Sequence, residues 1–520
     1  MATTRTKNKL GQYFTPSQIC DFMVSLSSKP KIAEVLEPSS GEGAFLDALN
    51  RAGFQNVTGV EIDPDIAKHD VFPVENSSFI TWETNKLYDL VIGNPPYIRW
   101  KDLADEQKSE LMQHRLFGSM VNSLSDYLLP FIALSVEKLK NEGELIFITP
   151  SFWLQTKHST PLREYLSSHG KITDLVDFGE AKIFKDVATS LVIFKFVKTL
   201  KPGPVRLHRF IGGKVGPNNL DLENPSLFRS EVISHFESKG KFVSAFDDEV
   251  HFPLALESEC STNGALTCLG EVVRIANGMV TGLDEAFKLT PEFVAQLDSS
   301  ELQGVSKVVK GKNLQRLFSP GFSYYIDIDP NLSESDVSSR FPSLLGALEP
   351  WKSKLLMRYV NGAELKWWQW SFYRSSTFHR SDAQKGFVPG KERLSHKPYV
   401  RFSLAPDEVV ATQDVTAFAP LSGTQESIAY IVGFLNLPAV SAWVRAFGLM
   451  KGGVAEFSEK PLSEIPFRRI NWENQSEVEV HERITNLIES AVNAGQPLEV
   501  VEGKIFEEFA NLMPGLANSR

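Results

Sequence analysis

The sequence predicts a parallel α/β fold for the first part of the chain, followed by a second domain of mixed α+β character. Three observations point there. Short apolar strands alternate with amphipathic helical stretches over roughly the first two hundred residues. A Gly-rich turn follows the first strand, and an acid ends the second. A stretch dense in Gly, Pro and Asn, 201–225, then breaks the alternation as a loop or linker does.

The expected strands are 33–37, 57–61, 88–92, 144–149, 173–177 and 190–197, each a short apolar run. Between them 127–140 reads as a helix, with Leu128, Ile132, Val136 and Leu139 on one side. The mostly parallel sheet should occupy 1–240, with the second domain over 241–520. The tail 477–512 is helical in character, with Ile484, Leu487, Ile488 and Val492 at helical spacing.

A chain of 520 residues is long for one domain, and 42% hydrophobic residues supply an ordinary globular core. No apolar run has the length of a membrane span, and the polar N-terminus lacks a signal-peptide core. Three scattered cysteines, Cys20, Cys260 and Cys268, suit neither a disulfide framework nor a zinc site. The expectation is a cytoplasmic protein with no membrane partner and no metal. A net charge of −10 disfavours nucleic acid as a partner on average, but contact needs only a local basic face. Between residues 352 and 401 stand eleven Lys/Arg against three acids, interleaved with Trp367, Trp368, Trp370, Phe372, Tyr373, Phe378 and Phe387. Cations and rings so mixed suit a surface that tracks phosphates and stacks bases; a solvated basic surface over core aromatics gives the same text. Lys352, Lys366, Arg374, Arg380, Lys391, Arg393, Lys397 and Arg401 are the candidate DNA contacts.

Residues 35–46, Val-Leu-Glu-Pro-Ser-Ser-Gly-Glu-Gly-Ala-Phe-Leu, run from strand through turn to helix. Gly41 and Gly43 permit a sharp turn or close approach of a ligand to backbone. Some twenty residues on, Glu61 closes the second strand, where an acid can accept from ribose hydroxyls. The spacing points to a nucleotide-like cofactor, a dinucleotide or S-adenosylmethionine, although the turn lacks the G-x-G-x-x-G pattern.

The sharpest signal is the strand Tyr88-Asp-Leu-Val-Ile-Gly93 running into Asn94-Pro95-Pro96-Tyr97. Two prolines fix a rigid, non-helical loop at the strand's carboxyl end and leave carbonyls free. The exocyclic amine of adenine is a poor nucleophile because its lone pair is delocalised into the ring. The Asn94 side-chain oxygen and the Pro95 carbonyl, placed beside it, would draw its N–H groups and favour attack. Tyr97 offers a ring to stack on the base.

By these motifs the chain resembles the gamma-class adenine-N6 DNA methyltransferases, type II modification enzymes such as that of Thermus aquaticus, over roughly residues 9–200. The resemblance implies a Rossmann-like class I methyltransferase domain on a mostly parallel seven-stranded sheet, S-adenosylmethionine as cofactor, and a target-recognition domain behind it. Gly11-Gln-Tyr-Phe-Thr-Pro16 is similar to the N-terminal motif that places Thr15 and Pro16 by the methionine moiety. Glu37 matches the acid that meets the methionine amino group; Ser39, Gly41 and Gly43 match its loop; Glu61 matches the ribose-binding acid, with Ile62 against the cofactor adenine. Ser78-Phe79 stands where the family has Asp-Phe. Phe79 packs that adenine, and Ser78 replaces the carboxylate that accepts from its N6. Residues 181–194 resemble the late motif and assign Phe184 to stacking on the flipped base, though a core residue reads the same way. Residues 275–287 and 310–313 resemble segments that open the recognition domain.

The implied chemistry is flipping of an adenine out of double-stranded DNA and direct transfer of the methyl to N6. No covalent intermediate is needed, and no cysteine lies near the catalytic motif. A restriction endonuclease acting separately is the expected companion. The alternative acceptors for Asn-Pro-Pro-Tyr are RNA and protein glutamine; the basic-aromatic block favours DNA.

Overall fold

A computed structural model describes residues 15–98, 100–118, 127–179, 181–184, 190–212, 221–222, 224–233, 236–238, 241–242, 266–318, 321–360, 363–394, 397, 399–405, 408–451, 453–494 and 498–513. The chain divides into two compact units: 1–250 with 450–453, and 251–449 with 454–520.

The first unit is built on one sheet. Its elements in chain order are α1 (Ser17–Ser25), β1 (Glu34–Glu37), α2 (Ala44–Arg51), β2 (Asn56–Glu61), β3 (Val74–Asn76) and β4 (Tyr88–Gly93). Then come α3 (Asp105–Gln113), α4 (Leu128–Glu137), β5 (Leu139–Pro150), α5 (Thr160–His169), β6 (Lys171–Asp177), β7 (Leu191–Val197), β8 (Val205–Phe210) and β9 (Phe228–Ile233). The strand order is β3-β2-β1-β4-β5-β7-β6-β8-β9. β1 to β5 are parallel, and β7 runs antiparallel between β5 and β6. This is the expected Rossmann-like class I arrangement of seven strands, extended by two more.

The two extra strands correct the expectation of a linker at 201–225. Val205 and Leu207 are buried and Arg206 is exposed, a half-buried strand hidden between Pro/Gly-rich flanks; β8 pairs parallel with β6, and β9 antiparallel with β8. Residues 213–220 and 223 of that segment lie outside the described residues.

Alternation along the strands makes two cores, one on each sheet face. Leu36, Val91, Leu145 and Phe147 pack with α4, buried from Leu128 to Val136, on one side. Val35, Leu90, Ile92, Ile146 and Ile148 pack with α1 and α2 on the other. Each large side chain buried this way contributes about 1.5–3 kcal/mol.

The second unit contains a five-stranded sheet over 273–277, 415–420, 386–389, 403–404 and 317–318, and a four-stranded one over 288–289, 323–326, 305–309 and 410–411. The helical tail is two helices, Gln475–Asn493 and Leu498–Leu512. Ile484, Ile488 and Val492 are buried as their spacing predicts, and Leu487 is half-buried. Among the described residues no single helix is long and apolar enough to cross a membrane.

Candidate active site

In the first unit the chain winds outward from β1 to β3, then returns to place β4 against the other side of β1. A crevice for ligands opens at the carboxyl ends of strands at such a switch point. β1 ends on Glu37 and β4 leads into Asn94.

Glu37 is 1% exposed, and its Oε2 has no hydrogen-bond partner among the described residues. Burial pushes its carboxyl well above the usual range, and Glu61 and Asp47 add like-charge repulsion. The Leu46 backbone N–H favours the charged form in part, and Oε2 is the oxygen left without a cation or a donor among the described residues. Beyond it the turn is held by backbone: Ser40 N–H donates to the Val60 carbonyl (2.9 Å) and Gly43 N–H to the Ser40 carbonyl (2.8 Å). Gly41 (φ 55°) and Gly43 (φ 89°) adopt left-handed conformations that side chains disfavour, and Gly43 opens α2. A Cβ on Gly43 would meet His69 at 3.1 Å. Glu61, 4% exposed, accepts from Gly41 N–H (2.7 Å) and Asp63 N–H (2.9 Å), so the acid of β2 also fixes the turn after β1. Ile62 is half-buried next to it.

The Asn94–Tyr97 segment is tied down on three sides. Ser39 Oγ donates to the Asn94 carbonyl (3.1 Å). Asn94 Nδ2 donates to Thr15 Oγ1 (3.1 Å), and Thr15 is 8% exposed. The Tyr97 hydroxyl donates to Asn94 Oδ1 and to the Ile148 carbonyl, 2.7 Å away in β5. Pro95 is buried, and Pro96 and Tyr97 are half-buried. Sequence reasoning placed Thr15 and Pro16 by a cofactor only. The structure adds that Thr15 holds the Asn94 amide, while the Pro16 carbonyl accepts from Ile19 and Cys20 at the start of α1. Residues 11–14 of that motif lie outside the described residues.

Ser78 and Phe79 follow β3. Phe79 is 5% exposed and packs on Phe131 with ring centroids 4.7 Å apart. Ser78 Oγ donates to Glu110 Oε2 of α3 at 2.8 Å, a partner 32 residues away that no local pattern indicates. Phe184 is 4% exposed and sits in the core cluster with Phe178 and Ile183, the core position that the sequence allowed beside base stacking. Residues 185–189 of its motif lie outside the described residues.

The aromatics of the basic-aromatic block in the second unit are largely core, as in the second of the two arrangements its composition allowed. Trp367, Trp368 and Trp370 are 3%, 3% and 0% exposed; Phe378 and Phe387 are buried too. Several cations are internally bound. Arg380 donates to buried Asp327 at 2.8 and 3.0 Å. Arg401 binds Glu392 (2.7 Å) and the carbonyls of Gly311 and Leu314, and Lys397 binds the same Glu392 at 2.5 Å. Lys352 pairs with Glu349 and lies over Trp367; Lys366 donates to the Pro330 and Leu332 carbonyls. Arg374, Lys391 and Arg393 remain exposed. Nearby, Lys310 bridges Asp284 (3.1 Å) and Asp414 (3.0 Å), joining two segments of this unit.

A family model, Eco57I restriction-modification methylase, matches residues 42–184. The type II methyltransferase M.HindII of Haemophilus influenzae is 40% identical over 498 residues, covering 93% of this chain and 94% of its own. M.HincII, also of Haemophilus influenzae, is 39% identical, covering 93% of each chain. The type IIL restriction-modification enzyme MmeI, solved in complex with DNA, shares the fold with a TM-score of 0.59 at 12% identity, covering 97% of this chain and 72% of that one. The chain belongs to the type II DNA adenine-N6 methyltransferases of restriction-modification systems. It uses S-adenosylmethionine to methylate adenine N6 in double-stranded DNA, in a sequence-specific manner.

Proposed function

We propose that the switch-point crevice of the first unit holds both cofactor and target base, and that Asn94 is the residue acting on the target amine. The observation that carries this is the buried Glu37 Oε2, without a partner among the described residues, on a side chain that lies against Gly93 just before the Asn94 segment. Its unpaired oxygen suits the ammonium of an amino acid moiety, and Thr15, Pro16, Ser39, Gly41 and Gly43 line the approach to it. Glu61 would take the ribose hydroxyls, with Ile62, Ser78 and Phe79 around the purine. S-adenosylmethionine supplies the electrophilic methyl. Asn94 Oδ1 and the Pro95 carbonyl accept the two N6 protons of the target adenine, which keeps the nitrogen lone pair available. Pro96 holds the loop rigid, and the Tyr97 ring is the stacking face. The test is Asn94→Ala, with single-turnover methyl transfer measured beside cofactor affinity. Transfer should fall by at least about a hundredfold. Turnover like the parent's would remove Asn94 from this role.

The order of motifs, cofactor turn before catalytic loop before a long second unit, supports a gamma-class arrangement and makes the second unit the target-recognition domain. A restriction endonuclease of the same specificity, acting as a separate protein on cytoplasmic DNA, completes the reading. Two relatives named as methyltransferases, each matched over 93% of this chain, favour that separation. Among the described residues no group of three or more His, Cys, Asp or Glu side chains is placed to hold a metal.

A further inference from the structure

We infer that Glu110, delivered by α3, is the carboxylate that reads the purine amine of the cofactor, working with Ser78 after β3. This rests on the cofactor reading given above. β2 and β3 are parallel neighbours in register, Glu61 opposite Asn76. Asn76 Nδ2 donates to the carbonyls of Glu61 (2.9 Å) and Ile62 (3.2 Å), and Ser77 N–H to the Glu61 carbonyl (3.0 Å). The two strand ends are therefore locked side by side, about 4.8 Å apart as neighbouring strands are. A ribose on Glu61 directs its base toward the next polar position, which is Ser78.

An exocyclic amine donates only, so its site must accept. Ser78 alone presents a hydroxyl whose proton is free to turn either way. Here that proton is committed to Glu110 Oε2 at 2.8 Å. Tyr127, 4% exposed, hydrogen-bonds Ser78 and Gln107 and fixes the serine from the buried side. What the pair can offer a ligand is acceptor character: the second oxygen of Glu110 and the remaining lone pair of Ser78. Ser78-Phe79 thus keeps the recognition that Asp-Phe would give, with the charge brought from another element.

The test is calorimetry on the full chain with S-adenosylhomocysteine and its deaminated counterpart S-inosylhomocysteine, whose 6-oxygen accepts instead of donating. The parent should prefer the adenine form. Glu110→Gln, which places an amide donor at the site, should narrow that preference about tenfold or more. Glu110→Ala should weaken the adenine form alone, and adding Ser78→Asp to it should restore the preference. An unchanged preference in Glu110→Gln, or no preference in the parent, overturns the inference. Glu61→Ala separates the two ideas. If it leaves affinity for both compounds unchanged, the cofactor reading itself fails; if it lowers both while Glu110→Gln changes nothing, only the role of Glu110 fails.

Discussion

The hydroxyl of Tyr97 is hydrogen-bonded to the side-chain oxygen of Asn94, three residues earlier in the same loop. It also reaches the Ile148 carbonyl of the adjacent strand at 2.7 Å. An amide oxygen carries two lone pairs, which is what the proposed contact of Asn94 Oδ1 with the target amine requires beside the phenol. The same bond couples the ring proposed to stack on the base to the amide proposed to act on it.

Tyr97→Phe keeps the ring and removes that coupling. Methyl transfer should drop several-fold, because the Asn94 amide then loses the phenol as one of the groups that orient it, while its bond to Thr15 is kept. Tyr97→Ala should drop it much further, since the stacking face goes too. Cofactor affinity should stay within about twofold in both variants. Single-turnover transfer of labelled methyl, paired with calorimetry, gives both numbers.

Cofactor binding should release a proton from Glu37. Its carboxyl is held well above the ordinary value by burial, reinforced by Glu61 and Asp47, so the cofactor-free protein carries it protonated over a wider pH range than an unfolded chain does. The sign for stability follows. An acid with a raised folded value stabilises the fold less as pH climbs from the unfolded value toward the folded one. Glu37→Gln should therefore raise the melting temperature of the cofactor-free protein at neutral to alkaline pH. A cationic ammonium favours the charged carboxylate, so affinity should rise with pH across the same window. Calorimetry in buffers of different ionisation enthalpy should show the proton release in the parent and its loss in Glu37→Gln.

Glu61→Ala removes both the proposed ribose acceptor and the anchor of Gly41 N–H. Cofactor affinity should fall by ten- to a hundredfold, while DNA binding measured without cofactor persists. Equal loss of both would mean that the first unit as a whole had been destabilised, which a urea melt would reveal.

The cations of the second unit should separate into two groups. Arg374, Lys391 and Arg393 are exposed. Replacing all three by Ala should weaken DNA binding and reduce the slope of log affinity against log salt by up to about three, with little change in stability. Arg401→Ala instead strips Glu392 of one of its two cations and frees two carbonyls. It should cost about 1–3 kcal/mol in urea unfolding. Affinity and salt slope unchanged in the triple variant would move DNA contact away from this face.

What the sequence determined by itself about this protein is whatever is settled within a few neighbouring residues. The strand cores of β1, β2 and β4 show as apolar runs, and the left-handed turn at Gly41 and Gly43 needs residues without a Cβ. The rigid Asn94–Tyr97 loop is written in its two prolines. Tertiary structure decided the rest, because composition does not say which way a side chain faces. Trp367, Trp368 and Trp370 carry no clean period of 2 or 3.6, so a buried core and a stacking surface read alike until the surrounding sheets close over them. Phe184 is ambiguous for the same reason. The strand Val205–Phe210 is masked by its Pro/Gly flanks and shows itself only through pairing with β6. Ser78 meets Glu110, and Thr15 meets Asn94, 32 and 79 residues apart in the chain. Such pairs exist only because the fold brings separate elements to the same strand ends, where a hydrogen bond depends on a few tenths of an ångström that no local pattern encodes.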